Sequence, residues 1–344
     1  MVRPGARNLI TDVAGLRVGN AEDRKILTGV TVVLGDRLTT AVVDVRGGAP
    51  GTRDTEALDP VAIDGGADAI VLSGGSVYGL DAPAGVISLL REQGRGVAFG
   101  GVNVPIVPGA ILFDLTNGGD KDWGQEAPYR RLGRAAAEWA ATADSASLDF
   151  PLGNVGAGLG ARAGVYKGGL GSASAVTDDG LTVGAIVAVN SLGSPLIPGT
   201  DVFWAFPFEQ QEEFGGRRLK GPLESDLDLP ADMKGALPRA NTTIAVVAVD
   251  AQVSGVELKR IAIMAQDGFA RALRPVHTPF DGDIVFAMAT GKRALGEPRP
   301  RQVMRLGSIA ADTLARAIAR GVYGAETLGA MKSYRDSFQG GSHG

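Results

Sequence analysis

Seven short apolar runs, rich in Val, Ile and Ala and separated by glycine or polar residues, constrain this chain's fold more than any other feature. They lie at Gly29–Leu34, Thr40–Val45, Ala69–Leu72, Ser172–Val176, Leu181–Val189, Thr243–Val249 and Asp283–Ala289. Their near-continuous apolar character reads as strands covered on both faces. Helical periodicity accompanies them. Leu258, Ile261, Ala265, Gly268 and Ala272 share one face, as do Leu132, Ala136 and Trp139, and Ile309, Leu314, Ala317 and Ile318. Another helix is expected from about Ser76 to Gln93, closed by Gly94. This mix calls for stacked layers: two central sheets with helices outside, an α-β-β-α sandwich of the α/β (α+β) class. No linker divides the 344 residues into pieces of domain size, so one domain is expected.

Composition excludes much chemistry. Cysteine is absent, which removes thiol catalysis, Cys-based zinc sites and disulfides together. Histidine is limited to His277 and His343, so a multi-His metal site is excluded and no metal or cofactor is expected. A Ser-His-Asp arrangement could use only His277, and a base other than imidazole is favoured. The net charge of −4 argues against nucleic acid or an anionic membrane as partner. No apolar run reaches the roughly 20 residues of a membrane span. Residues Met1 to Asn8 contain no apolar signal region, and a cytoplasmic location is expected.

One junction suggests where a base comes from. The polar stretch Phe208–Ala240 carries many charges and three prolines, and a loop this long is functional or disordered. It ends at Asn241-Thr242-Thr243, followed at once by an apolar run. Were Thr242 to become a new N-terminus, it would carry nucleophile and general base in one residue. A model α-amine has a pKa of about 7.7–8.0. Asp281-Gly282-Asp283 places two carboxylates at a strand entrance, where they could orient an ammonium or satisfy local backbone N–H groups. Asn190 ends a strand and could donate to an oxyanion. Lys167, among glycines, could stabilise negative charge or lower a neighbouring amine's pKa. Ser76 and Tyr78 follow Gly74-Gly75 between a strand and a helix. They resemble a nucleophile elbow but lack its second glycine, and reach toward substrate more readily than they attack it. Gly156-Ala157-Gly158-Leu159-Gly160 is a relaxed dinucleotide fingerprint without the acidic residue that should follow.

Together these segments resemble one family. Its motifs match Asp44–Thr55, Leu72–Asp81, Val104–Asp114, Gly153–Gly158 leading to Lys167-Gly168-Gly169, Asn241-Thr242-Thr243, and His277-Thr278 with Asp281-Gly282-Asp283. The chain is similar over nearly its whole length to the L-aminopeptidase/D-esterases, β-aminopeptidases and nylon-oligomer (6-aminohexanoate oligomer) endohydrolases. The resemblance implies the fold of N-terminal-nucleophile hydrolases and self-cleavage into chains 1–241, with a flexible tail from 208, and 242–344. It implies catalysis by Thr242, with Lys167 and Asn190 beside it and Asp281 and Asp283 holding or activating it. Tyr78, with Ser76 near it, matches a residue that positions substrate or oxyanion. It also implies a homo-oligomer, a tetramer of cleaved units, acting on a small peptide or an oligoamide. The Thr and the Asp-Gly-Asp resemble the nylon-oligomer hydrolases rather than the Ser-nucleophile aminopeptidases. Acyl transfer to an amine, or a non-catalytic scaffold, are the alternative functions.

Overall fold

The computed structural model describes residues 2–63, 65–142, 148–223, 228–229, 231–235 and 241–338. The principal strands are β1 (Leu16–Asp23), β2 (Thr28–Val45), β3 (Gly66–Ser73), β4 (Gly109–Ile111), β5 (Gly169–Thr177), β6 (Thr182–Asn190), β7 (Thr242–Ala251) and β8 (Ile284–Arg293). In space they run β5-β6-β7-β8-β2-β3-β4, with β1 also paired to β2 and two-residue strands at Val2–Arg3 and Thr52–Arg53 on the edges. Most pairs are antiparallel; β7 with β8 and β3 with β4 are parallel.

The sheet folds over itself. β2 is long enough to serve two layers: Val30–Leu34 pairs with β3, and Thr40–Val45 pairs with β8. A register shift between Leu34 and Thr39 marks the change. The period-2 alternation of each strand then fills separate cores. Ile186, Ala188, Ile244, Val246, Ile284 and Phe286 point inward, against Leu16, Val18, Val33, Ile70 and Leu72 of the other layer. Their neighbours Val187, Val247 and Val285 point outward onto Leu258, Ile261, Leu314 and Ile318. On the far side Val30, Val32 and Val71 pack on Val86, Leu90 and Leu132. The expected α-β-β-α order is present, with the two sheet layers hydrogen-bonded into one through β2. Each fully buried Val, Ile or Leu contributes about 1.5–3 kcal/mol, so doubly covered strands hold the fold without disulfides.

The helices depart from the sequence expectations in detail. Residues 76–92 form a 3-10 turn (Ser76–Asp81) and then α1 (Ala82–Glu92), with Pro83, a residue suited to the position, in its first turn. Helix α2 (Tyr129–Thr142) buries Leu132, Ala136 and Ala140, but Trp139 is exposed, one position off the face assigned to it. The periodic stretch 258–272 is two helices, α3 (Gly255–Ala265) and α4 (Asp267–Ala272), parted at Gln266, whose amide donates to the Asp44 carbonyl. Helix α5 (Arg299–Tyr323) lies against β5 so closely that a Cβ on Gly171 would meet the Ala317 carbonyl at 1.9 Å.

The stretch expected to be a flexible tail from 208 begins as packed structure. Phe214 is buried against Phe203, and the Glu213 carboxylate receives two hydrogen bonds from the buried Arg316 guanidinium. Arg316 also donates to the Ser174 carbonyl and to Asn8 Oδ1. The Glu213–Arg316 pair anchors the chain inside the fold, while Glu212, Arg217, Arg218 and Lys220 around it remain exposed. Glu213→Ala leaves that guanidinium without its counterion, and breaking a buried pair costs about 3–5 kcal/mol. Urea unfolding at pH 7 should show a loss of that order, whereas Lys25→Ala, whose pair with Asp120 is exposed on both sides, should stay within about 1 kcal/mol.

Candidate active site

Register assembles the site. β6 and β7 are antiparallel with Asn190 opposite Thr242, and β7 and β8 are parallel with Ile244 opposite Ile284. A further bridge joins Asn241 to Asp281, one rung before the regular ladder. The even-numbered residues of β6 and β7 face the central core, so Thr242 and Asn190 share one face at its mouth. Both are buried, at 2% and 1% exposure. The Thr242 hydroxyl donates to the carbonyl of Asn241, its own preceding residue, at 2.6 Å. The same carbonyl accepts the Gly282 backbone N–H at 2.9 Å. Gly282 lies directly against the Thr242 side chain: a Cβ there would lie 2.7 Å from Thr242 Oγ1 and 2.8 Å from the Ala49 carbonyl.

The two aspartates act on backbone. Asp283 Oδ1 accepts the Thr243 N–H at 2.9 Å, and its Oδ2 receives the His277 N–H and contacts His277 Nδ1 at 3.0 Å. Asp281 Oδ1 accepts the Leu192 N–H at 3.2 Å, and Oδ2 accepts both the N–H and the hydroxyl of Thr278. Burial, and then the neighbouring Asp283 charge, push the Asp281 carboxyl upward. Among the described residues no hydrogen bond joins either carboxylate to the Thr242 hydroxyl. They fix the strand entrance on which it stands. The motif at Arg46-Gly47-Gly48-Ala49 completes this: N–H groups of Arg46 and Gly47 bond the Asp283 carbonyl, and that of Ala49 bonds the Asp281 carbonyl. A Cβ on Gly47 would come within 2.3 Å of both Asp281 O and Asp283 N, so the embrace needs glycine.

Asn190 Oδ1 accepts the Arg162 N–H and the Lys234 ammonium, each at 3.0 Å, and its amide donates to the Phe113 carbonyl. Lys167 is fully buried, and its ammonium donates to the carbonyls of Gly158, Ala161 and Gly168 at 2.7–3.0 Å. Its bonds are spent on the glycine turn rather than on Thr242. Burial lowers it to about 7, opposed by the Asp114 charge. Lys234 is lowered to about 7 as well, by burial and then by Arg162, against Asp281 and Asp114. Ser76 and Tyr78 make no hydrogen bond to Thr242. Tyr78 is half-exposed and packs edge-to-face on Trp123, and the Gly74-Gly75 turn before Ser76 is held by Asp114, which accepts the Gly75 N–H at 2.8 Å.

Beside Asn190 opens a cavity of about 380 Å³, lined by Phe113, Asp114, Asn117, Arg162, Lys234 and Met331 among others. Asp114, Gly282 and Lys234 were not singled out individually from the sequence. Asp114 closes a quoted motif and Gly282 sits inside another, so position in those strings was the available signal. Lys234 lies in a loop whose pattern carried none. Among the described residues no group of His, Asp or Glu is arranged to hold a metal, and no helix is long and apolar enough to cross a membrane. A hydroxyl pressed on a buried, hydrogen-bonded carbonyl is arranged for acyl transfer.

The profile of peptidase family S58 matches residues 8–335. A relative named an uncharacterized aminopeptidase, from Mycobacterium bovis, is 42% identical, with 97% of this chain and 98% of that protein aligned. A 6-aminohexanoate-oligomer endohydrolase of a Kocuria species is 30% identical over 90% of this chain and 84% of its own length. Among solved structures, a Burkholderia β-aminopeptidase superposes with a TM-score of 0.71 at 22% identity, over 100% of this chain and 97% of that one. The L-aminopeptidase D-Ala-esterase/amidase of Ochrobactrum anthropi, described as a variant of the Ntn hydrolase fold, gives 0.69 at 20% identity, covering 95% and 89%. These structures share the fold.

Two outcomes follow from the site's bonding. Both oxygens of Asp283 accept from N–H groups, so Asp283→Asn must turn an NH₂ toward a donor. That should cost about 1–3 kcal/mol, read as a fall in unfolding free energy, and an unchanged melt would remove Asp283 from this role. Lys167 has its folded pKa near 7, below its unfolded value of 10.5, so the unfolded chain binds the extra proton between them. Its contribution is present above the unfolded pKa and is lost as pH falls from about 10.5 to 7. Lys167→Met should therefore flatten the rise in stability across that window by one proton's share, about 1.4 kcal/mol per pH unit.

Proposed function

This chain belongs to peptidase family S58 and is a peptide or amide hydrolase, and we propose that it cuts itself between Asn241 and Thr242 and then uses Thr242 as an N-terminal nucleophile. The observation that carries this reading is the Thr242 hydroxyl held at 2.6 Å on the carbonyl of the bond to be cut. Attack of Oγ1 on the Asn241 carbonyl carbon closes a five-membered ring. The hydroxyl proton passes to the departing Thr242 nitrogen, the C–N bond breaks, and an ester joins Asn241 to Oγ1. Water hydrolyses that ester, leaving Asn241 with a carboxylate and Thr242 with a free amine.

That amine then serves as general base in turnover. Asp283 already holds the N–H of Thr243, the next residue, and Asp281 pairs through its backbone with Asn241, so the ammonium forms at the strand entrance that carries both buried carboxylates. Their negative charge favours its protonated form and keeps it oriented. In the intact chain Lys234 lines the cavity and bonds Asn190 beside it, and separation of the 241 end frees a path from that cavity to the nucleophile. Substrates are short amides: an N-terminal residue of a peptide, or an oligoamide of the 6-aminohexanoate kind on which one set of relatives is named to act.

Thr242→Ala should abolish both cleavage and amide hydrolysis. Thr242→Ser keeps the oxygen but loses the methyl that restricts χ1, and both rates should fall by roughly tenfold, equivalent to about 1.4 kcal/mol of barrier. Intact mass checks the first step: fragments of 241 and 344 − 241 = 103 residues for the parent chain, one 344-residue chain for Thr242→Ala. Release of product from a peptide, a β-amino acid amide and a 6-aminohexanoate oligomer checks the second. Full turnover by an uncut chain would contradict the proposal.

A further inference from the structure

We infer that the backbone N–H of Gly282 is the oxyanion donor of the self-cut and of each later ester hydrolysis on Thr242. This rests on the proposed function above and assigns it a group that the sequence offered to Asn190. The Asn241 carbonyl receives two hydrogen bonds in the intact chain: the Thr242 hydroxyl at 2.6 Å and the Gly282 N–H at 2.9 Å. The first disappears as Oγ1 gives up its proton and bonds to the carbon. When negative charge builds on the oxygen, the Gly282 N–H is the hydrogen bond that remains among the described residues. Its length lies in the range expected of an oxyanion donor, about 2.7–3.1 Å.

The other groups considered for this task are engaged elsewhere. The Asn190 amide donates to the Phe113 carbonyl, and the Lys167 ammonium to three backbone carbonyls. The Gly282 N–H is also rigidly aimed. The carbonyl on one side of it bonds Ala49, that on the other side bonds Arg46 and Gly47, and the Asp281 carboxylate ties the same turn to Leu192 and Thr278. A donor fixed before reaction needs no reorganisation when charge develops.

The same N–H serves turnover because the intermediates match. The ester left by the self-cut is an acyl group on Thr242 Oγ1, and the ester left by substrate attack is also an acyl group on Thr242 Oγ1. In each, water adds to the carbonyl carbon, the carbonyl oxygen takes the negative charge, and the C–Oγ1 bond breaks as Oγ1 recovers a proton. Gly282 keeps its place beside Thr242 on the neighbouring strand throughout.

Side-chain substitution cannot test this, since Gly282→Ala would push a Cβ onto Oγ1 without touching the N–H. The test replaces Gly282 by glycolic acid in the full chain, through cell-free translation with a hydroxyacyl-tRNA, which exchanges N–H for O alone. A matched glycolate at Gly184, in the interior of the β6 ladder, controls for the loss of a backbone donor. Cleavage of the Gly282 ester chain should slow about a hundredfold or more, the Gly184 chain should cut within about threefold of the all-amide rate, and the two should melt alike. A Gly282 ester that cuts as fast as the all-amide chain overturns the inference, and so does equal slowing by the Gly184 ester. The all-amide chain and its Thr242→Ala variant are run alongside. Failure of the first to cut, or cutting by the second, sinks the self-cleavage reading itself rather than the role of Gly282.

Discussion

The carbonyl of Asn241 is the first rung between β7 and β8 and also the acceptor of the Thr242 hydroxyl. The two roles constrain each other. To be a rung, the peptide must lie in the parallel register that puts Thr242 against Gly282. In that register the hydroxyl lies on the carbonyl, and Gly282 sits so close to its oxygen that a Cβ there would meet it at 2.7 Å. The folded sheet therefore holds the Thr242 hydroxyl and the Asn241 carbonyl together through its own ladder. Among the described residues, neither the oxygen nor the nitrogen of the buried Asn241 side chain has a hydrogen-bond partner. Leaving a buried polar group unmade costs about 1–3 kcal/mol, and this cost is carried by the intact chain.

Around that rung, charge is used to hold backbone. Asp281 and Asp283 grip N–H groups of three separate segments, and Lys167 gathers three carbonyls of the glycine turn at residues 158–168. With a single histidine near the site and no cysteine, the chain lacks the common bases, and a new α-amine born beside two carboxylates fills that gap in the proposed chemistry. Lys234 belongs to the intact chain's side of the scheme. It reaches Asn190 from the loop that precedes the cut, where Asn190 faces Thr242 across the ladder.

Much of this was legible in the residues, unevenly. Apolar runs located the strands that are covered on both faces, because burial leaves a continuous signal there. β1 (Leu16–Asp23) escaped notice, since its second half carries Asn20, Glu22 and Asp23 and is only half-buried. β2 read as two runs because the polar residues 35–39 interrupt it where it passes between layers. Trp139 was placed inward by spacing and lies outward, since α2 turns its small residues to the sheet and leaves no room for an indole. Thr242, Asn190, Asp281 and Asp283 do converge; the sequence offers the carboxylates to a new ammonium or to the Thr242 hydroxyl and the oxyanion to Asn190, and in the intact chain the carboxylates hold mainly backbone N–H groups while the Asn190 amide donates to the Phe113 carbonyl. Sequence reports side chains. The inferred donor, the Gly282 N–H, is backbone, and no residue pattern announces where a backbone N–H points.

The most direct measurement is a trapping experiment on freshly translated chain. Hydroxylamine attacks an ester far more readily than an amide, so chain folded in its presence should release residues 1–241 with a C-terminal hydroxamate on Asn241. High-resolution mass of that fragment should show the hydroxamate in place of the carboxylate found without the trap, together with an unmodified 242–344 fragment beginning at Thr242. A fragment that ends in carboxylate alone at saturating hydroxylamine, or at a residue other than Asn241, would contradict cleavage through a Thr242 ester.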